Sequence, residues 1–350
     1  MDAMPRVSII ILNWNGWEDT IECLESVYQI TYPNYDVIVV DNGSENESVE
    51  KIKEYAEGRL SVESCFFEYT TENKPLQYVE YSLEEAETGE GTERAIAHLP
   101  SNKKLILIKN DKNFGFAEGN NIAIRYALKA LNPEYILLLN NDTVVDKNFL
   151  TELVNVIEAD EKIAFAGPKN YYYDYHGRTD VINFAGGKIT MWRGKSEHIG
   201  VNEFDEGQYD CITNTDYVTG ACLLARREVL ETIGLLDPTY FLYWEETDWC
   251  MRARNAGYKL VYVPGAKIWH KVAASQEGSV NKFFFVRNNF LFVKKNATNA
   301  QFAVFLLYFF GFELWLLIGS SIIRKRNAKE FFSIVKGSLE GIKGNVTNPL

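Results

Sequence analysis

The chain has 350 residues, 46% of them hydrophobic and 24% charged, and its formal net charge is −12 at pH 7. This length suits one large α/β domain, or one domain followed by a membrane-associated tail. The acidic balance argues against a general nucleic-acid-binding protein, which would carry a basic surface, so no nucleic-acid partner is expected. Acidity does not exclude phosphate ligands, because an acidic enzyme can bind a nucleotide through a metal ion.

The first half of the chain alternates predicted strands and helices. Apolar runs predict buried strands at residues 7–12, 37–40, 105–108 and 135–139. Helices are predicted at residues 19–28 and 121–131. This alternation is typical of an α/β fold with a mostly parallel central sheet flanked by helices. All four strands run into polar loops on one expected edge of the sheet, and ligands of such sheets bind beyond the carboxyl ends of the strands.

An acidic insert at about residues 60–104 interrupts the alternation, with many glutamates and few basic residues. We expect it to leave the sheet and to form a small surface lobe around a flexible tip at residues 88–92. The simplest interpretation is a solvated insert without direct chemistry.

The chain changes character near its end, and a helical tail is predicted at residues 296–350. Residues 302–323 carry Glu313 as their only charge, and as a helix of about 33 Å they are long enough to cross a bilayer. Glu313 disfavours a lone span by roughly 3 kcal/mol. An amphipathic stretch with regularly spaced lysines follows, as in helices that lie in an anionic membrane surface. We expect the tail at the cytoplasmic side of the cell membrane, peripheral or as a single C-terminal span. The alternative is a helix packed on the preceding domain.

The fourth predicted strand ends in a polar tip. Asn140 and Asp142 project into the expected site, and Asp142 is a hard oxygen donor suited to Mg²⁺ or Mn²⁺ and a phosphate-bearing ligand. The alternative is that Asp142 caps a helix near residues 147–159. His270 follows another apolar strand and is either a second metal ligand or a structural hydrogen bonder.

A glycine-rich turn follows the third predicted strand at residues 113–121. Its small residues permit close approach of a ligand, and the helix start offers amides to an anion, so Asn113, Gly115 and Asn120 are candidates for binding a phosphate-bearing cofactor. An ordinary tight turn explains the segment equally well. Arg287 is a further candidate, because a guanidinium group fits phosphate oxygens; a buried salt bridge is its alternative.

An acidic cluster lies among aromatic residues at the start of a helix predicted at residues 250–257. Glu245, Glu246 and Asp248 stand beside Trp244 and Trp249, and an apolar setting raises the proton affinity of a carboxylate. Helix capping explains Asp248 as an N-cap. Two adjacent acids beside Trp244 are costly without a task, so at least one of them is expected to act as a general base.

Together these residues resemble glycosyltransferase family 2, in its rhamnosyltransferase-like branch, over about residues 5–295. The motifs that carry the resemblance occur in the family's order at residues 13–16, 39–44, 113–121, 138–142, 219–221 and 244–248. The resemblance implies a GT-A nucleotide-diphospho-sugar transferase fold in a domain spanning residues 1–295. It also implies an inverting, metal-dependent glycosyltransferase, with rhamnosyl transfer as the first candidate. A nucleotide-diphosphate sugar is the implied donor, and a saccharide or lipid-linked saccharide is the expected acceptor.

The resemblance also implies roles for individual residues. Asn13 and Asp41 correspond to residues that hold the nucleotide base, Asn140 and Asp142 to the DxD element that holds ribose and metal, and Glu246 to the catalytic base.

This chain departs from the family's pattern at two points. Asn140 replaces the first Asp of DxD, so metal affinity rests more on Asp142, the diphosphate and His270. The base is usually the Asp of a Glu-Asp pair, and Glu246 stands there with Glu245 as the competing residue. The alternative functions are a non-catalytic sugar-nucleotide or glycan-binding protein on the same fold, a nucleotidyltransferase and a processive polysaccharide synthase.

Overall fold

A computed structural model of the chain describes residues 4–89, 96–272, 279–320 and 328–346. The strands are β1 (Val7–Asn13), β2 (Tyr35–Asp41), β3 (Gln77–Ser82), β4 (Lys104–Lys109), β5 (Tyr135–Asn140), β6 (Thr143–Val145), β7 (Ile163–Tyr172), β8 (Ile182–Phe184), β9 (Gly187–Thr190), β10 (Lys195–His198), β11 (Thr213–Asn214), β12 (Cys222–Arg226) and β13 (Lys259–His270). The helices are α1 (Trp17–Tyr28), α2 (Ser48–Ala56), α3 (Leu83–Thr88), α4 (Gly115–Tyr126), α5 (Phe149–Glu158), α6 (Arg227–Ile233), α7 (Glu245–Asn255), α8 (Ser279–Asn296), α9 (Asn299–Tyr308), α10 (Leu314–Gly319) and α11 (Ala328–Lys343). A wider helical turn at Ala127–Leu131 extends α4, and another at Phe309–Glu313 joins α9 to α10.

Most of the strands form one sheet in the order β11-β13-β7-β12-β5-β1-β2-β4-β3, with β6 beside β13 and β8 beside β7. The run from β5 to β3 is parallel throughout, whereas β12 is antiparallel to both of its neighbours. β9 and β10 form a separate antiparallel hairpin. The mostly parallel sheet predicted from the sequence is confirmed.

Alternate residues of the central strands are buried on opposite faces of the sheet. Ile9 and Val37 belong to the core that also contains side chains of α1 and α5. Ile10 and Ile38 belong to the second core, together with side chains of α4 and α7. Because both faces are buried, the strands read as continuous apolar runs, which is why the sequence located them.

The register of the parallel strands brings their polar ends to one edge. Asn13 at the end of β1 pairs with Asp41 of β2, and Leu12 pairs with Asn140 of β5. Asp41 in turn pairs with Lys109 of β4. The shared polar edge predicted from the sequence is therefore present.

The prediction that the acidic insert leaves the sheet is wrong. β3 lies within it, pairs in parallel with β4 and forms the edge of the sheet. Val79 and Tyr81 are buried, while Glu80 between them is exposed and faces Lys109 at 3.4 Å. An edge strand with one acidic outer face lacks the continuous apolar run of a central strand, so its sequence resembles a solvated loop. Residues 90–92 of the predicted flexible tip lie outside the described residues.

A buried ion pair also ties this insert to α1. Lys74 Nζ lies 3.0 Å from Glu25 Oε2, and the two side chains are 4% and 0% exposed. The Tyr55 hydroxyl donates a hydrogen bond of 2.7 Å to the same carboxylate. Burial lowers the pKa of Lys74, and the charge of Glu25 opposes that shift. Two buried charges of this kind are stable only together, so the insert is part of the folded core.

The predicted tail packs on the preceding domain through α8. The ring of Phe290 lies 5.1 Å from that of Phe305 and 4.6 Å from that of Phe309, between centroids. α11 lies against the other side of α8, where a Cβ added at Gly341 would be 2.9 Å from the carbonyl oxygen of Arg287.

Glu313, predicted as the single charge of a membrane-spanning stretch, is paired. Its Oε2 lies 3.2 Å from Lys195 Nζ of β10 and accepts a hydrogen bond of 2.9 Å from the Tyr308 hydroxyl. The inner face of this helix therefore packs on the preceding domain, as the alternative to a membrane span predicted. Residues 321–323 of the predicted stretch lie outside the described residues.

We expect Lys74→Ala to lower the free energy of unfolding by about 3 kcal/mol, because it leaves the Glu25 carboxylate buried without its cation. Urea denaturation followed by circular dichroism measures this change. The exposed Lys162→Ala is the control and should stay within about 0.5 kcal/mol of the native chain. Equal stability of the two variants would contradict the anchoring of the insert.

Candidate active site

A cavity of about 490 Å³ lies at the polar edge of the sheet. The ends of β5 and β13, the residues before β12, the hairpin strand β10 and the starts of α7 and α8 surround it. The residues lining it are Phe116, Asn140, Ser196, His198, Tyr217, Thr219, Gly220, Ala221, Leu242, Tyr243, Trp244, Glu245, Glu246, Thr247, His270, Asn281, Lys282 and Phe285. Four of the predicted site residues, Asn140, Glu245, Glu246 and His270, thus meet in one cavity.

The acidic pair opens α7 directly after a loop in an unusual conformation. Phe241, Tyr243 and Trp244 have φ values of 63°, 69° and 78°. Left-handed backbone is costly for bulky residues and persists only where the surroundings enforce it. The loop turns Glu245 and Glu246 into the wall of the cavity.

Both carboxyl groups of the pair hold protons more strongly than usual. Burial raises the pKa of Glu245, and the neighbouring charge of Glu246 raises it further. Burial also raises the pKa of Glu246, whose Oε1 accepts a hydrogen bond of 3.1 Å from the Thr247 hydroxyl. Glu245 Oε2 is buried and has no hydrogen-bond partner among the described residues. Such a pair suits proton transfer near neutral pH.

Asp248 does not have the place in the site that the sequence predicted. It is neither an N-cap, since α7 begins at Glu245, nor one of the described residues that line the cavity. Its carboxylate is fully buried and accepts hydrogen bonds from Arg252, Lys295, Tyr240 and Asn296. These four donors explain why an acid stands there, and they assign Asp248 to the packing of α7 against α8.

Asn140 and His270 also line the cavity, whereas Asp142 is not among the described lining residues and reaches the site through His270. His270 Nε2 lies 3.1 Å from Asp142 Oδ1, with both side chains about a tenth exposed. Burial raises the pKa of the Asp142 carboxyl group, but the charge and hydrogen bond of His270, a backbone hydrogen bond and the charge of Lys271 together lower it below its usual value. Asn140 Oδ1 is buried without a hydrogen-bond partner in the described part of the chain. The alternative that Asp142 caps the next helix is wrong, because α5 begins at Phe149.

The Asp142 carboxylate and the His270 imidazole fit a divalent metal ion. Carboxylate and imidazole groups are suitable donors for Mn²⁺, and the carboxylate also suits Mg²⁺. The described residues contain no cluster of three or more His, Cys, Asp or Glu side chains that would hold a metal ion alone. A ligand that brings its own oxygen atoms would complete the coordination, as a diphosphate does.

Asn13 and Asp41 lie together beside the cavity at the ends of β1 and β2. Asn13 Nδ2 donates to Asp41 Oδ1 at 2.8 Å, and Asp41 also accepts from the hydroxyl and backbone N–H of Ser44. Thr20 donates its hydroxyl proton to Asn13 Oδ1. The structure thus brings the two predicted base-binding residues into one hydrogen-bonded unit, while their ligand contacts stay a prediction.

The glycine-rich turn is connected to this unit through Asn42, which sequence reasoning did not single out. Asn42 Nδ2 donates to Asn113 Oδ1 at 3.0 Å and to the Gly115 carbonyl at 3.1 Å. Gly115 has a φ of 80°, and a Cβ there would come within 2.6 Å of Phe241. Asn120 is buried and donates to the Phe116 carbonyl at 2.9 Å. The tight-turn alternative explains these contacts, and phosphate binding by Asn113, Gly115 and Asn120 stays a prediction.

Arg287, predicted to bind phosphate, does not reach the cavity. Its side chain is fully buried and is not among the described residues that line the cavity. The guanidinium group donates to the carbonyls of Thr239 and Tyr240 and lies 4.9 Å from the Phe284 ring centroid. Burial lowers its pKa to about 10. A buried structural role fits this placement, and the phosphate role is not carried forward.

Several residues that line the cavity were not predicted from the sequence. Ser196 and His198 come from β10, and Tyr217 precedes the motif at residues 219–221. Lys282, on the first turn of α8, is the one lysine or arginine among the described lining residues. The aromatic run after residue 281 was the only available sign that α8 borders the site.

The sequence matches known glycosyltransferases over most of its length. Residues 84–287 match the family described as glycosyltransferase like family 2, and residues 8–74 match glycosyl transferase family 2. The chain is 24% identical over 264 residues to the low-salt glycan biosynthesis hexosyltransferase Agl10 of Haloferax volcanii, covering 71% of this chain and 79% of that protein. It is 25% identical over 258 residues to the dTDP-rhamnosyl transferase RfbF of Shigella flexneri, covering 69% of this chain and 80% of that protein.

The fold is similar to that of a solved structure, the mannosyltransferase PcManGT from Pyrobaculum calidifontis in complex with GDP-Man and Mn²⁺. The superposition has a TM-score of 0.56 with 13% sequence identity, and it covers 97% of this chain and 88% of the other. At this level of identity the likeness concerns the fold. The predicted GT-A fold is confirmed.

Proposed function

The chain belongs to glycosyltransferase family 2, and we propose that it is an inverting, metal-dependent enzyme with a nucleotide-diphosphate sugar as donor. The acceptor is a hydroxyl group of a saccharide or lipid-linked saccharide. Its relatives are named hexosyl- and rhamnosyltransferases, and rhamnose is the first candidate sugar. One observation carries the proposal: a single cavity is lined by Glu245, Glu246, Asn140 and His270, and His270 in turn contacts Asp142.

Donor binding is assigned to the strand ends. Asn13 and Asp41 hold the nucleotide base, and the unpartnered Oδ1 of Asn140 accepts a hydrogen bond from the ribose. Asp142 and His270 would hold Mg²⁺ or Mn²⁺, which supplies positive charge against the leaving diphosphate. Lys282 lines the same cavity and adds a second cation.

Proton transfer is assigned to the acidic pair. The acceptor hydroxyl gives its proton to Glu246, and its oxygen bonds to the anomeric carbon from the face opposite the nucleoside diphosphate. The bond from the anomeric carbon to the phosphate oxygen breaks in the same displacement, which inverts the configuration. Glu245 stays protonated because it is more deeply buried and lies beside the charge of Glu246.

The tail supports association with a membrane surface, and the cytoplasmic side is part of our proposal. Asn299–Gly319 is a 21-residue helix long and apolar enough to cross a bilayer, with 11% of its most apolar stretch buried in the fold. Its exposed apolar side chains are Val304, Leu307, Phe310, Phe312, Trp315 and Leu316. The pairing of Glu313 with Lys195 favours a peripheral position, in which the inner face stays on the domain and the outer face enters the interfacial layer.

We expect Glu246→Gln to keep donor binding and to cut transfer by at least ~10²-fold, because the amide cannot accept the hydroxyl proton. Nucleoside-diphosphate release from dTDP-rhamnose, UDP-glucose, UDP-galactose, UDP-GlcNAc and GDP-mannose measures the rate and identifies the donor. The exposed Glu161→Gln is the control. Near-native release by the Glu246→Gln variant would remove Glu246 from this role.

In the native chain the rate of transfer should fall as the pH drops through a pKa above that of an ordinary glutamate, because the base must be ionised.

Asp142→Ala should weaken both donor binding and the response to metal, because it removes the charged donor of the metal site. Titration of Mn²⁺ against product release, with EDTA as the starting point, measures the apparent metal affinity, which we expect to fall by at least ~10-fold. Asp146→Ala, on the same connection between β5 and α5 but without the contact to His270 that Asp142 makes, is the matched control. An unchanged metal titration would sink the assignment.

The double variant Leu307→Glu/Trp315→Glu should lose binding to lipid vesicles, because it places two charges on the most exposed part of the apolar face. Flotation with vesicles of phosphatidylcholine, with and without phosphatidylglycerol, measures binding. Ile212→Glu, at an exposed apolar residue before β11, is the control. Equal flotation of both variants would contradict a docking role for this helix.

A further inference from the structure

The loop from Thr239 to Trp244 touches both halves of the cavity. At its C-terminal end it leads into Glu245 and Glu246, the first residues of α7. In its middle, the Phe241 carbonyl accepts hydrogen bonds from the backbone N–H groups of Phe116 at 2.6 Å and Ala117 at 3.4 Å, at the start of α4. The loop therefore connects the acidic pair to the glycine-rich turn on the donor side.

The backbone of this loop needs external support. Three of its non-glycine residues are in the left-handed region, where the backbone of a bulky residue is strained. Successive carbonyl groups in this conformation also do not satisfy one another as they would in a helix or a sheet. Buried carbonyls of this kind need donors from elsewhere in the fold.

Asn288 of α8 supplies those donors. Its Nδ2 lies 2.7 Å from the Tyr240 carbonyl, 2.8 Å from that of Leu242 and 2.9 Å from that of Tyr243. Its Oδ1 accepts from Arg287 Nε at 2.9 Å, which fixes the orientation of the amide. Asn288 is fully buried, so water does not substitute for it.

We propose that Asn288 is a positioning residue for glycosyl transfer, which holds the loop at Thr239–Trp244 so that the acidic pair and the donor-side turn keep their relative geometry. Arg287 assists by orienting the Asn288 amide and by donating to Thr239 and Tyr240. The proposal rests on the proposed function, because it concerns the placement of Glu246. It also gives the Arg-Asn pair of α8 a function that needs no contact with substrate.

A neighbouring residue offers a matched comparison. Asn289 is also a buried amide on α8, and its Nδ2 donates to a backbone carbonyl, that of Gly194 in the β9–β10 turn, at 2.6 Å. Asn288→Ala and Asn289→Ala thus remove the same chemical group from adjacent positions of one helix. Only the first change releases the loop that carries the acidic pair.

The test measures kcat, the donor KM and the pH dependence of kcat for the native chain and both variants, at a temperature where circular dichroism shows all three folded. We expect Asn288→Ala to lower kcat by ~10²-fold, because small misplacements of a catalytic group have effects of this size, with the donor KM changed less than threefold. The acid limb of its kcat–pH profile should move to lower pH. Loosening of the loop hydrates Glu246, and hydration favours the charged carboxylate. Asn289→Ala should keep kcat within threefold of native.

Equal losses of kcat in the two alanine variants, or an unchanged acid limb in Asn288→Ala, would overturn the proposal and leave a purely structural role. If Asn288→Ala does not fold, Asn288→Ser against Asn289→Ser carries the same comparison, because serine keeps one donor. A native chain that turns over no sugar nucleotide would instead overturn the proposed function. Native turnover with kcat unchanged in the Asn288 variants overturns only the positioning role.

Discussion

The parallel pairing of β1 with β2 on one side and with β5 on the other is the constraint on which the site depends. Parallel strands point the same way, so Asn13, Asp41 and Asn140 reach the same edge of the sheet whatever the loops do. Hydrophobic cores cover both faces of these strands. The polar side chains at the edge are therefore mounted on a rigid, buried support, which suits a site that must place two substrates accurately.

Carboxyl groups at the site have opposite protonation tendencies. The neighbouring His270 contributes to a lowered pKa of Asp142, whereas burial raises the pKa values of Glu245 and Glu246. A carboxylate that stays charged suits a metal ion, and one that holds its proton more strongly suits proton transfer near neutral pH. This difference in environment is consistent with the separate roles that we propose for Asp142 and Glu246.

α8 connects the parts of the molecule that the sequence separates. Its first turns border the cavity at Lys282, and Asn288 holds the loop before α7. Phe290 packs against the apolar helix that follows, and α11 lies along its other side. The tail therefore packs against the same helix, α8, that borders the cavity.

The positions of the central strands and the polar edge could be predicted because their signals are local. Continuous apolar runs mark strands buried on both faces, and the turn residues after them, from Asn13 to Asp142, mark the ends. The family resemblance added the GT-A fold. β3 was missed because an edge strand has only one buried face, and its acidic outer face at Glu80 resembles a loop.

The sequence by itself determined the α/β architecture, the polar edge of the sheet and the chemical character of the acidic pair. Only the tertiary structure decided which polar residues serve the cavity. Asp248 and Arg287 look like catalytic groups in the sequence, yet their partners, Lys295 for one and the Thr239 carbonyl for the other, come from distant segments and keep both out of the cavity. Side-chain pairing across the fold has no local sequence signature, whereas the burial of a strand is recorded in its own residues.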